Sequence, residues 1–220
     1  MHEIHVGEDL RDRNREIAHE NRKHLKKHGI VTLNLMSAPG AGKTSLLVNT
    51  IPRLKDRYRI GVVEGDLQTS TDAERVGSLG VDVFQIQTGG VCHLDAAMVH
   101  SALHRFELDA IDLLLIENVG NLVCPAEFDL GEDARVMLLS ITEGDDKPKK
   151  YPLMFRESRL LLMNKIDLLP WVDFDTEKAK REAREINPDI EIHDISCKTG
   201  EGIDAWISWI ERFCKRLEVT

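Results

Sequence analysis

The sequence predicts an α/β protein with a mostly parallel sheet flanked by helices, and three observations predict it. From residue 30 onward, short β-rich runs alternate with helical patterns, the order that strand–helix–strand units require. Several runs are apolar without a break, as in Leu113-Leu114-Leu115-Ile116, which suits strands buried on both faces. The third is a glycine-rich turn, Ser37-Ala38-Pro39-Gly40-Ala41-Gly42-Lys43-Thr44, set between the apolar run 30–36 and a helical pattern that begins at Lys43. At 220 residues the chain is long enough for one large domain with its own core.

In chain order, residues 9–28 are densely charged, with sparse apolar positions such as Leu10, Ile17 and Leu25, and Gly29 is a fitting stop. This predicts a polar N-terminal helix lying on the domain or partly free of it. The chain then divides into a polar helical segment, 1–29, and a nucleotide-binding domain, 30–220. Strands are expected at 30–36, 59–64, 81–87, 112–117, 135–142, 159–164 and 190–196. Residues 144–158 are polar and carry prolines, which predicts a long mobile or functional loop. In the last helix, Ile203, Trp206, Ile207, Ile210, Phe213 and Leu217 recur at helical spacing as one core-packing stripe.

Composition excludes several classes. A net charge of −9 argues against a protein that coats nucleic acid. No apolar run approaches a membrane span, and the start, Met1-His2-Glu3-Ile4-His5, is not a signal peptide. A soluble, cytoplasmic protein is expected, bound to neither nucleic acid nor membrane. The four cysteines, Cys92, Cys124, Cys197 and Cys214, are scattered, so free thiols or metal ligands are expected rather than a disulfide framework.

The glycine-rich turn has the chemistry of a phosphate loop. Pro39, Gly40, Ala41 and Gly42 keep the turn tight and let backbone N–H groups converge on phosphate oxygens. Lys43 supplies a cation, the Thr44 hydroxyl can hold Mg²⁺, and Ser45 continues the helix whose positive end faces the anion. Ser37 stands where the usual pattern has glycine. Further on, Asn164-Lys165-Ile166-Asp167 ends a strand. A carboxylate there can accept hydrogen bonds from the ring N–H and exocyclic amine of guanine, which adenine cannot both donate, so Asp167 selects GTP over ATP, with Asn164 and Lys165 bracing the base. Ser196-Cys197-Lys198 follows another strand and suits a second guanine-contacting loop. Three such segments in order, each at a strand's carboxyl end, place one nucleotide site along one sheet edge.

Asp66 and Glu117 end two further strands and are assigned to Mg²⁺ with Thr44, directly or through water. Gly120 is placed to offer a backbone N–H to the γ-phosphate. The residue orienting the attacking water is not obvious; Asp66 is the best candidate, so Lys43 and Asp66 are the catalytic assignments, with slow intrinsic turnover. Lys147, Lys149 and Lys150 are candidate cations donated across a dimer, although a solvated lysine loop is the commoner arrangement.

A second metal site is suggested by Cys92, His93 and Cys124. If the strands preceding them are sheet neighbours, both loops emerge on one edge and the three side chains converge. Two thiolates and an imidazole suit Zn²⁺ or Ni²⁺ rather than Mg²⁺, and three protein ligands leave an open position suited to transfer. Sequence spacing alone leaves the alternative open, two unrelated buried cysteines and a capping histidine. His100 and His104 lie one helical turn apart and could add ligands, although surface histidines are commoner. His2, His5, His19, His24 and His28 are too dispersed along the chain to define a site.

From about residue 10 to the C-terminus these motifs resemble the HypB family, the GTPases that assist nickel insertion into nickel–iron hydrogenase. The carriers are Ser37–Ser45, Glu64-Gly65-Asp66, Thr88–Ala96, Glu117–Pro125, Thr142-Glu143-Gly144, Lys150-Tyr151-Pro152, Asn164–Asp167 and Ser196–Gly202, above all Cys92-His93-Leu94-Asp95-Ala96. The resemblance implies a P-loop NTPase of the signal-recognition and MinD-like branch. It also implies a homodimer with Cys92, His93 and Cys124 at its interface, and, as partners, other hydrogenase maturation factors and the hydrogenase large-subunit precursor. Many members carry an N-terminal Cys-x-x-Cys-Gly-Cys site or a histidine-rich stretch; this chain has neither. A urease accessory GTPase would show Cys-Pro-His, whereas here Cys92-His93 and Cys124-Pro125 are separate. A P-loop small-molecule kinase would usually use ATP, which Asp167 disfavours, and a metal-storage or sensor protein would not need an intact Lys43-Thr44.

Overall fold

The computed structural model describes residues 6–66 and 71–218. Helix α1 (Val6–Lys27) leads into strand β1 (Val31–Ser37), helix α2 (Lys43–Leu54), β2 (Ile60–Asp66), α3 (Thr71–Gly77), β3 (Asp82–Gln87) and α4 (Ala96–Leu103). Then follow β4 (Leu113–Glu117), α5 (Cys124–Glu127), β5 (Ala134–Ser140), α6 (Lys147–Lys150), α7 (Pro152–Glu157), β6 (Leu160–Asn164), α8 (Thr176–Ile186), β7 (Glu191–Asp194) and α9 (Ile203–Glu218). Met1, His2, His5 and the rest of the first five positions lie outside the described residues.

The described strands form one seven-stranded sheet in the order β3-β2-β4-β1-β5-β6-β7, with every pair parallel. Each expected strand is present, shifted at its ends by one or two residues. Leu33 and Leu35 bury one sheet face against Leu47 and Ile51 of α2 and Trp206 and Ile210 of α9. On the other face Met137 and Met163 pack with Phe155 and Ala179, and Leu114 and Ile116 pack with Val99 and Leu103. Trp206 is fully buried, and its indole N–H donates to the Thr50 hydroxyl at 2.8 Å, tying α9 to α2. The last residue of the expected α9 stripe, Leu217, is 37% exposed, past the end of the core.

The N-terminal helix lies on the domain, and polar side chains dock it. The amide of buried Asn14 donates to the Asp129 carbonyl at 2.7 Å and accepts from the Ala96 N–H at 2.8 Å. Asn21 donates to the carbonyls of Ala96 and Leu130 at 2.9 and 3.0 Å. Leu10 is 60% exposed and takes no part in this docking face.

The expected loop at 144–158 is instead two short helices, α6 and α7. Pro148 and Pro152 start them, in the first turn where a missing N–H costs nothing. Pro148, Met154 and Phe155 are buried beneath the polar surface that made the segment read as a loop. Its lysines are engaged locally: Lys149 pairs with Glu182 at 2.8 Å, Lys150 with Asp146 at 2.5 Å, and Lys147 lies over the Tyr151 ring. No described helix is long and apolar enough to cross a membrane.

Candidate functional site

The carboxyl ends of β1, β2, β4 and β6 place the site along one sheet edge. Between β1 and α2 the chain turns through Gly40 (φ 74°) and Gly42 (φ 111°), left-handed values that glycine tolerates. A side chain at Gly42 would run into the Asn164 amide. Ser37 has a role that glycine could not fill: its buried hydroxyl donates to the Ala38 carbonyl at 2.7 Å and accepts from Lys43 Nζ at 3.1 Å. Burial draws the Lys43 ammonium below the ordinary lysine range, against the pull of Glu117 and Asp72. A bound phosphate would restore that charge.

The Asn164–Asp167 and Ser196–Lys198 segments meet the glycine-rich loop directly. Asn164 Nδ2 donates to the Ala41 carbonyl at 2.8 Å, and its Oδ1 accepts from the Lys165 and Cys197 N–H groups at 2.8 and 3.2 Å. Lys165 takes a left-handed φ of 68° and sends its ammonium to the Gly40 carbonyl at 2.8 Å. The Ser196 hydroxyl donates to Asp167 Oδ1 at 2.6 Å and accepts from the Lys198 and Thr199 N–H groups, fixing the carboxylate. A cleft of about 390 Å³ opens beside them, lined by Gly42, Ser45, Asn49, Arg75, Asp167 and Lys198 among others. Burial pushes the Cys197 thiol up to about 11, so this cysteine is an inert packing residue.

At the phosphate end, the Thr44 hydroxyl donates to Glu117 Oε1 at 2.9 Å. The other oxygen, Glu117 Oε2, is buried without a hydrogen-bond partner, as is Glu64 Oε2. Burial raises the Glu117 carboxyl to about 7. Burial, with Glu117 and Asp66 nearby, raises Glu64 to about 8. Two orphaned carboxylate oxygens beside a threonine hydroxyl are the donor set a hard divalent cation takes, so the residues present fit Mg²⁺. Asp66 ends β2 and adds its charge to this group, as does Asp72 at the start of α3. Gly120 lies against the loop: a Cβ there would sit 2.8 Å from Pro39 Cα.

Cys92, His93 and Cys124 converge, with one ligand atom from each all within 4.8 Å. The Cys92 thiol donates to Cys124 Sγ at 3.0 Å, and Cys92 Sγ lies 3.8 Å from His93 Nδ1. His93 stacks on Phe128 at 4.0 Å, and burial draws its basicity down, favouring the neutral imidazole a metal needs. The condition set for this convergence is not met, because β2 lies between β3 and β4. The segment after β3 instead crosses the end of β2. Leu94 passes over Gly65, where a Cβ would come within 2.8 Å of it, and the Leu94 N–H donates to Asn118 Oδ1 at 3.1 Å.

Sequence reasoning gave no role to Asn118, Glu64, Asp72, Arg75 or Asn49. Asn118 is buried next to Glu117. Its Oδ1 also accepts from the Val119 N–H at 2.9 Å, and its amide donates to Asn34 at 3.2 Å. Asn49 donates to the Cys197 carbonyl at 3.0 Å, holding the Ser196–Lys198 loop on α2. The one available signal was an acid inside an apolar strand, Glu64 in Ile60-Gly61-Val62-Val63-Glu64.

A parallel sheet with the glycine-rich Pro39–Thr44 loop after β1 and Asn164-Lys165-Ile166-Asp167 after β6 has the build of a P-loop nucleotide-binding protein. Residues 31–194 match the nucleotide-binding domain family described as CobW/HypB/UreG. The chain is 51% identical over 208 residues to the hydrogenase maturation factor HypB of Escherichia coli, covering 94% of this chain and 72% of that protein. It therefore belongs to the HypB family of hydrogenase maturation factors. Its structure superposes on HypB of Archaeoglobus fulgidus with a TM-score of 0.87 at 44% identity, covering 92% of this chain and 99% of the other. The structure of HypB from Helicobacter pylori in complex with nickel gives 0.88 at 37% identity, covering 93% and 96%. At the level of fold alone, the signal recognition particle receptor FtsY of Elizabethkingia anophelis gives 0.52 at 12% identity, covering 82% and 65%.

Proposed function

We propose that this chain is a Mg²⁺-dependent GTPase that carries Ni²⁺ for hydrogenase maturation, with nucleotide state coupled to the metal site. The observation that carries the reading is the short path between the two sites. Glu117 is seven positions before Cys124 in one segment, and Asn118 beside it holds the backbone that leads from Cys92 and His93.

In this reading Pro39 to Ser45 enclose the phosphates, Lys43 neutralises the β- and γ-oxygens, and Gly120 contacts the γ-phosphate. Asn164, Lys165, Asp167, Ser196, Cys197 and Lys198 form the base site. Thr44, Asp66 and Glu117 would hold Mg²⁺, which would supply charge neutralisation on the phosphates. Asp66 orients the attacking water, and intrinsic turnover is slow because positioning and charge supply most of the acceleration. Residues 30–220 form the GTPase unit and 1–29 its N-terminal segment.

Cys92, His93 and Cys124 hold the cargo. Soft thiolates with one imidazole suit Ni²⁺, and Zn²⁺ satisfies the same preferences. Val91 and Val123 flank the triad at 40% and 51% exposure, apolar surface that a second copy of the chain would cover. A homodimer at this face completes the metal's coordination. Other maturation factors and the hydrogenase large-subunit precursor would be its partners, in the cytoplasm. Phosphate release tests the enzymatic half: GTP with Mg²⁺ should be hydrolysed and ATP should not. Equal turnover of both nucleotides would contradict it.

A further inference from the structure

Four histidines that are dispersed along the sequence come together where the end of α1 meets α4. His24 and His28 lie one helical turn apart, and so do His100 and His104. The ring centroids are 4.6 Å apart for His100 and His104, 5.2 Å for His24 and His28, and 5.9 Å for His24 and His104. Two imidazoles on one tetrahedral ion have centroids about 5 Å apart, given metal–nitrogen bonds of ~2.0–2.1 Å. Nε2 of His104 and Nε2 of His100 are 3.1 Å apart, a little under the ~3.3–3.4 Å that the same bond lengths set at a tetrahedral angle.

The surroundings orient two of the rings for coordination. Asn21 donates both amide hydrogens to carbonyls, so its Oδ1 must accept, and His100 Nδ1–H is the donor at 2.8 Å. His100 Nε2 then accepts from the His104 Nε2–H, a proton that a shared metal ion would displace. His28 Nδ1 lies 2.7 Å from the Asp109 carboxylate, the outer partner that ligating histidines use, which makes Nε2 the nitrogen that would coordinate. Burial and the other three histidines draw the basicity of His24 down. Lys27 adds positive charge nearby, and Asp109 opposes it.

We propose that His24, His28, His100 and His104 form a further metal site, a thiol-free imidazole site for a borderline divalent cation such as Ni²⁺ or Zn²⁺, clamping the end of α1 to α4. His100 and His104 already face one another through Nε2, and binding requires His24 and His28 to swing inward to complete the set. The site is chemically distinct from the Cys92-His93-Cys124 triad and does not rest on the GTPase reading.

The test is Ni²⁺ titration of the full chain carrying Cys92→Ser, Cys124→Ser, His2→Ala and His5→Ala, which removes the thiolate site and the N-terminal histidines. One Ni²⁺ per chain should remain, without thiolate-to-nickel charge-transfer absorption, and should raise Tm. Adding His100→Asn with His104→Asn should abolish it. His24→Asn alone, a change that disturbs no hydrogen bond described at the site, should weaken binding at least tenfold. Absence of Ni²⁺ binding in the starting variant would overturn the proposal. So would binding unaffected by His24→Asn, which would reduce the site to an ordinary surface histidine pair.

Discussion

Glu64 and Glu117 stand side by side in the β2–β4 register, each with its Oε2 buried and without a hydrogen-bond partner. Both carboxyls are held near neutrality, at about 8 and about 7, against an ordinary value of 4.5. Without a cation, the folded chain therefore keeps these protons while the unfolded chain has lost them. Stability should fall as pH rises from about 4.5 to about 8. A divalent cation with nucleotide should cancel that fall, and its own affinity should climb over the same window. Glu64→Gln should make the metal-free fall shallower, with Glu117 accounting for what remains, and weaken Mg²⁺. Tm against pH, with and without Mg²⁺–GDP, checks both; a flat wild-type profile would contradict the assignment.

Asp167→Ala should remove the preference for GTP over ATP. Two hydrogen bonds to a charged acceptor, at roughly 1.5–3 kcal/mol each, put the loss of GTP affinity at about 100-fold or more. Competition between the two nucleotides reads this directly, and an unchanged ratio would remove Asp167 as the base reader.

Much of the fold and part of the site are legible in the sequence for a physical reason. Strands such as Leu113–Glu117 are buried on both faces, so apolar runs mark them. Asn164 to Asp167 and Ser37 to Thr44 are contiguous, so backbone geometry alone places their atoms together. What was hidden depends on partners distant in sequence. The Glu64–Glu117 pairing exists only in the register. Convergence of Cys92 with Cys124 needed the small surface of Gly65 under Leu94, not neighbouring strands. Asn14 and Asn21 dock α1 through carbonyls that no periodicity reveals. The helices at 147–157 carry their apolar side chains under a polar, proline-bearing surface.

Cys92→Ala should weaken Ni²⁺ binding at the triad while leaving GTP binding intact. In the metal-free chain the hydrogen bond shared with the Cys92 thiol, then burial, holds the Cys124 thiol above its ordinary value. Metal must displace thiol protons, so Ni²⁺ affinity should rise with pH. Calorimetry at two pH values, with nucleotide affinity as a control, checks this. Unchanged Ni²⁺ affinity would leave the cysteines as packing residues.

Trp206→Ala should cost about 3–5 kcal/mol, the range for emptying a large aromatic site. The change also strips a partner from the buried Thr50 hydroxyl. Denaturant unfolding measures it, and a loss below about 1 kcal/mol would contradict the packing of α9 on α2.

Asn118→Ala should leave GTP and Ni²⁺ binding each largely intact and weaken their influence on one another. Its side chain joins the Leu94 N–H to the segment between Glu117 and Cys124. Comparing Ni²⁺ affinity in two nucleotide states, in wild type and variant, isolates the coupling. A variant with wild-type coupling would place the connection elsewhere.

The measurement that bears most directly on the whole account is Ni²⁺ affinity and stoichiometry with GDP and with a non-hydrolysable GTP analogue, with oligomeric state read in the same samples. The predicted result is a nucleotide-dependent change in affinity that accompanies dimerisation and disappears in Cys92→Ala. Tight binding that ignores the nucleotide would contradict the coupling and leave the triad a passive carrier.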